Sequence, residues 1–229
     1  MLKHIGIVGC SAAGAALCYQ TLCELGEQEL GQHQHPEVTL HTPSLSRYVE
    51  CLNHNDWPGV ARIMLQSAHL LAKAGAQLLI CPDNTLHQAL PLLREHSPLP
   101  WLSIAEAVAQ RARQGGFRRL GLLGTRWLLQ SRVYPDALAE HQIEYVLPDT
   151  ATMHALQTLI MDELVVGQFH PAQVQQLQQW IAAFRDAGCD AVVLGCTELP
   201  LLINNTNSVL PVLDSTRLLA AATLRAAQT

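Results

Sequence analysis

Charged and aromatic side chains are both scarce in this chain: Asp, Glu, Lys and Arg make up 14% of its 229 residues, and Phe, Trp and Tyr 5%. The 14 Lys and Arg residues form no block and the net charge is −5 with His neutral, so no nucleic-acid partner is expected. The densest basic group, Arg111, Arg113, Arg118 and Arg119, flanks the end of a predicted helix and reads as a solvated surface. No apolar run approaches ~18 residues, so no membrane-spanning helix is predicted. The opening MLKHIGIVGCSAAG runs straight into a strand-turn pattern, without the n-region or cleavage site of a signal peptide. The seven cysteines are irregularly spaced and include no CxxC pair. That fits a reducing cytoplasm better than a disulfide framework.

Apolar residues, by contrast, reach 49%, enough for a substantial core, and their arrangement repeats. Residues 6–11 read GIVGCS and residues 121–126 GLLGTR; residues 74–85 read AGAQLLICPDNT and residues 187–198 AGCDAVVLGCTE. In each longer segment a helix ends at Ala-Gly, an apolar run follows, and a polar turn closes it. Gly supplies a left-handed helix C-cap, and an unalternating apolar run suits a strand buried on both faces. Residues 57–73 and 171–187 carry apolar positions at three- and four-residue spacing and are predicted helices. Strands alternating with helices imply parallel sheets.

The expected fold is therefore α/β: two similar lobes, each a parallel sheet flanked by helices, related by a pseudo-twofold axis with the site between them. The first lobe is drawn over residues 1–100 and the second over 101–207. Residues 208–229, a strand near 209–213 and a helix over 215–227, return to complete the first. Nine residues on from the Ala of each Ala-Gly pair stand Asp83 and Cys196. Both fall at the carboxyl end of a buried parallel strand, where ligands bind in open α/β sheets. Two acid/base groups on opposite sides of one carbon is the arrangement that inverting a stereocentre requires.

Residues 5–9, 35–41, 83–87, 124–126, 194–202 and 212–217 resemble, in that order, the aspartate/glutamate racemase superfamily, and the resemblance spans nearly the whole chain. Gly195-Cys196-Thr197-Glu198-Leu199-Pro200 is its most specific piece and is similar to the second catalytic cysteine motif; Asp83-Asn84-Thr85-Leu86-His87 is similar to the first. The resemblance implies an amino-acid racemase or epimerase that uses neither pyridoxal phosphate nor metal, acts on a small amino acid or carboxylate, and forms a homodimer. It also implies that Asn84, Thr85 and Thr197 hold the substrate carboxylate, with Glu198 beside them. Cys10 and Ser11 in the first turn, and Thr125, would add anion contacts from amides at helix N-termini. Arg47 is a candidate carboxylate clamp or else a surface ion pair, and Tyr48 follows it on the same predicted loop.

The sequence departs from the family pattern in three places. Asp83 replaces the first cysteine, residues 163–168 (ELVVGQ) lack the lysine the family often carries there, and Ser103 stands where relatives frequently have His. Asp83 is thus either the second base or a helix cap. Cys81, two residues before it on the same strand face, is a competing thiol. His87, one turn on, either tunes the site or is a hydrogen-bonded helix residue. The tract Gln32-His33-Gln34-His35 has no acidic or cysteine partners at ligand spacing and reads as a loop. Two alternatives to racemisation follow from the missing thiol. One is a single-thiol decarboxylase or isomerase of the same superfamily; the other is a silent homologue that binds small carboxylates.

Overall fold

The computed structural model describes residues 2–228, which divide into two compact units. One is built from the chain up to Ile104 together with the segment from Thr216 onward, the other from Ala105–Ser215.

The first unit opens with β1 (Ile5–Val8), buried along its whole length, and α1 (Ala12–Leu30), which Ser11 caps by accepting a hydrogen bond from the Gly14 amide at 3.1 Å. Then come β2 (Val38–His41), α2 (Leu45–Asn53), α3 (Trp57–Lys73) and β3 (Leu78–Ile80). The bounds of α3 are readable in the sequence: Asp56 accepts from the Gly59 amide at 2.8 Å, Pro58 sits in the first turn, and Gly75 takes φ 97° just past the end. A 3-10 turn, Thr85–Ala89, leads into the short α4 (Leu90–Leu93).

The three strands pair in parallel with β1 central, in the order β2-β1-β3. Residues 100–102 run beside β3, with the Leu79 amide donating to Pro100 O and the Leu102 amide to Leu79 O. That pairing carries the first unit past residue 100, up to Ile104.

The second unit begins with α5 (Ile104–Gln114), then β4 (Arg119–Gly124), α6 (Arg126–Leu129), α7 (Val133–Glu140) and β5 (Glu144–Val146). Next are α8 (Thr150–Thr158), which widens into a π-helical turn over Leu159–Leu164, α9 (Pro171–Asp186), β6 (Ala191–Gly195) and β7 (Val212–Asp214). The sheet order is β5-β4-β6-β7, all parallel. Gly121 has no room for a Cβ, which would fall 2.4 Å from Phe184 Cγ; α9 therefore lies directly on the middle of β4.

Both sheets are parallel and flanked by helices, and in both the first strand is central, with the second and third on either side. By this order β1, β2 and β3 correspond to β4, β5 and β6. Besides the end of the first unit at Ile104, two more boundaries differ from the sequence reading. The expected strand at 209–213 starts only at Val212, after Pro211, whose carbonyl accepts from the Val192 amide at 2.9 Å. Because β7 pairs with β6, the return to the first unit begins at Thr216 rather than 208. The last helix, α10 (Ser215–Ala227), supplies Leu219, Ala220, Leu224 and Ala227 to a core shared with Ile5, Ile7, Cys18, Leu22, Ile80 and Ile104. Among the described residues no helix is long and apolar enough to cross a membrane.

Candidate active site

In the first unit the candidate residues lie on the turns that follow β1 and β3. Cys10 and Ser11 are buried directly after β1. Here Gly9 is required: a Cβ would fall 2.1 Å from Thr42 Cγ2. After β3 the chain passes Cys81 and Pro82 to Asp83, which is half-buried, while Asn84 and Thr85 are buried. Asp83 Oδ1 accepts from the Leu86 amide at 3.0 Å, so this oxygen caps the 3-10 turn.

His87 fixes the other side of that turn. Its Nε2 accepts from the Ile104 amide at 3.0 Å, which leaves Nδ1 as the protonated nitrogen, donating to the Asp83 carbonyl at 2.8 Å. Burial is the main cause that lowers its pKa from 6.5 to about 4. The ring is neutral and both nitrogens are engaged, so His87 is a brace under Asp83.

Cys81 is fully buried. Burial first, and then the nearby Asp83 charge, push its thiol well above the ordinary cysteine range, which makes it a poor source of thiolate. Arg47 and Tyr48 lie on α2, a helix where the sequence suggested a loop. Arg47 is exposed and donates to Gln66 Oε1 at 3.0 Å. Tyr48 is wholly buried, and its hydroxyl has no hydrogen-bond partner among the described residues. Burial, followed by the charge that Cys81, Cys10 and Asp83 would carry, raises its pKa far above 10.

In the second unit the corresponding turns follow β4 and β6. Thr125 is buried and caps α6, its Oγ1 accepting from the Leu128 amide at 3.2 Å. Gly124 and Gly195 are register partners, and a Cβ on either would meet the other strand's backbone: 3.0 Å to Gly195 O from Gly124, and 2.8 Å to Leu123 O from Gly195. Two glycines thus let the strand ends close up directly before Cys196.

Cys196 is 8% exposed, and its Sγ donates to Glu198 Oε2 at 3.1 Å. The Thr197 hydroxyl donates to the same oxygen at 2.7 Å. Glu198 is 2% exposed, and its other oxygen, Oε1, is buried with no partner among the described residues. The sequence groups Glu198 with the expected substrate contacts; the structure bonds it to the thiol. A Cys-x-Glu turn is the signal in the sequence, but only the fold of the turn brings the two side chains together. A thiol and a buried carboxylate in direct contact can share one proton, and Oε1 can accept from a cation.

A family model described as Asp/Glu/Hydantoin racemase matches residues 5–223. A glutamate racemase from Thermus thermophilus is 29% identical over 171 residues, covering 73% of this chain and 62% of the relative, so the chain spans about three-fifths of that protein's length. A broad-specificity amino-acid racemase from Bacillus subtilis is 23% identical over 74% of this chain and 73% of its own. Among solved structures, a candidate Asp/Glu racemase from Yersinia pestis superposes with a TM-score of 0.89 at 27% identity, all of both chains being covered. An aspartate racemase homologue from Pyrococcus horikoshii OT3 gives 0.84 at 26%, again over both whole chains.

Proposed function

The chain belongs to the Asp/Glu/hydantoin racemase family, and from that membership we propose that it is a cofactor-independent racemase or epimerase that inverts the α-carbon of an amino acid. Cys196 works on one face of that carbon and Asp83 on the other. The observation that carries the proposal is the Sγ–Oε2 contact of 3.1 Å between Cys196 and a buried Glu198 at the end of β6. A protonated Cys196 thiol donates to Oε2 across this contact, and the protonated thiol is the form that returns a proton to a substrate carbanion. In the reverse sense a thiolate beside an ionised carboxylate would be a like-charge pair. A proton arriving on Sγ from the substrate removes that repulsion.

Glu198 Oε1 accepts the substrate ammonium, an assignment supported by its burial without a partner among the described residues. Asn84, Thr85 and Thr197 hold the carboxylate, whose charge grows as the α-proton leaves. Cys10, Ser11 and Thr125 offer further donors from the turns after β1 and β4, and Arg47 a cation on α2. Glutamate and aspartate, named for the relatives, head the list of substrates to test. A cytoplasmic location is part of the proposal, supported by seven irregularly spaced cysteines with no CxxC pair.

The test is solvent exchange. Incubated in D2O with L- or D-amino acids, the protein should replace the α-proton by deuterium and interconvert the enantiomers with the carboxylate retained. Cys196→Ala and Cys196→Ser should abolish both signals while the circular dichroism is kept. Full exchange in Cys196→Ala would sink the mechanism.

A further inference from the structure

At the other end of the second sheet from Thr125 and Cys196 there is a cleft of 580 Å3 lined by the end of α5, the loop 115–118 and the starts of β4 and β5. It lies at Arg119, the amino end of β4, whereas Gly124 ends that strand; five residue steps of about 3.3 Å separate the two, roughly 16 Å. Three of the chain's 14 Lys and Arg residues, Arg113, Arg118 and Arg119, line it in a protein whose net charge is −5. Local positive charge on an anionic molecule concentrates anions at that place.

These guanidinium groups are unequally committed. Arg119 faces Glu144, its register partner on β5, at 3.6 Å. Asp190 is bonded through both oxygens to the backbone amides of Arg118 and Arg119, at 2.7 and 3.1 Å. The side chains of Arg113 and Arg118 are exposed and have no ion-pair partner among the described residues. Compensation of the α5 carboxyl end accounts for Arg113. It does not account for Arg118, which lies beyond the helix.

Two features give the cleft shape as well as charge. Phe117 is half-buried, its ring held against Gly115, where a Cβ would fall 2.6 Å from Cε2. Next to it Gly116 stands open, with nothing within 4 Å of a Cβ position, so a ligand can approach the backbone there. The volume lies in the range of about 300–1,000 Å3 that suits organic ligands rather than a single small ion. Two guanidinium forks with no ion-pair partner among the described residues suit a group with several anionic oxygens, and an aromatic face suits a planar ring.

We propose that this cleft is a second binding site, for a nucleoside di- or triphosphate, with the phosphates on Arg113 and Arg118 and the base against Phe117. The site stands apart from the racemase reading and does not depend on it. Titration calorimetry of the full chain at low salt, with ADP and with inorganic pyrophosphate, tests it. Both should bind saturably, ADP more tightly, and added salt should weaken both. Arg113→Ala/Arg118→Ala should weaken both by at least about tenfold, and Phe117→Leu should weaken ADP alone. If the double variant misfolds, Arg113→Gln/Arg118→Gln carries the same comparison. No saturable binding, binding unmoved by the double substitution, or ADP binding no tighter than pyrophosphate would each overturn the proposal.

Discussion

Glu198 commits one oxygen to two donors and leaves the other buried without one among the described residues, so the chemistry on that side of the proposed reaction is set by a turn. Asp83 likewise has one oxygen committed, Oδ1, as the cap of the 3-10 turn. If Asp83 is the second base, Asp83→Asn should lose exchange from both enantiomers. Asp83→Cys should raise racemisation, since two thiols with reference values of about 8.5 trade roles near neutral pH more evenly than a thiol and a carboxyl do. That mismatch predicts unequal initial rates from pure L and pure D substrate in the wild type. Equal rates, unchanged in Asp83→Asn, would remove Asp83 from the acid/base pair.

His87 gives a pH signature. Its folded pKa of about 4 lies below the unfolded 6.5, so between those values the unfolded chain binds the extra proton and stability rises with pH. The contribution is complete above pH 6.5 and disappears as pH falls through about 4, and it amounts to something on the order of 3 kcal/mol. Urea unfolding of the wild type should weaken over that window by about one proton's slope more than His87→Gln does. Parallel curves for the two would show that the ring carries no such linkage. At this scale the sequence singles out Asp83 and Cys196, because a fixed count from Ala-Gly reaches both, and the structure has them on the turns after β3 and β6. It did not reveal the bond between Cys196 and Glu198, nor the ring bonds of His87 to Asp83 and Ile104, because these depend on how the turns fold.

Among the elements, those with local punctuation were legible. Helix α3 carries its cap, its proline and its terminal glycine in the sequence, and its bounds are the predicted ones. Helix α2 has no side-chain cap hydrogen bond, and its residues read as loop. The π-helical turn at Leu159–Leu164 has no sequence signature at all. The paired glycines at the ends of β4 and β6 show what the buried strands require of their neighbours. Gly195→Ala places a Cβ 2.8 Å from a backbone oxygen and 2.7 Å from Leu128 Cδ2; the side chain can shift, but the strand cannot easily do so. The expected cost is about 1–3 kcal/mol, as for other overpacked interiors. Activity should fall further than stability, because Cys196 is the next residue. Denaturation midpoints compared with exchange rates check this, and a variant with full activity would show that the strand ends have slack.

For the molecule as a whole, the repeat of strand order was visible in advance, because GIVGCS and GLLGTR open the two halves and the Ala-Gly strands follow in the same sequence. Where one unit hands over to the other was not visible, because the pairings of residues 100–102 and of β7 are long-range. Assembly beyond one chain rests on the family resemblance, from which a homodimer is expected. Small-angle scattering should give twice the chain mass of 25.1 kDa, and a monomeric mass would withdraw that expectation.

The route by which α10 rejoins the first core has a consequence for synthesis. Ile5, Ile7 and Ile80 leave the ribosome early, yet Leu219 and Leu224, which cover them, are separated from them by the whole of Ala105–Ser215. At ~5–20 residues per second, those roughly 110 residues take about 5–20 s to make. Throughout that interval the nascent β1–β3 sheet has an open apolar face, a target for chaperones and a risk for aggregation. The unit encoded second is the first that can close its core, and the one encoded first must wait for the last helix.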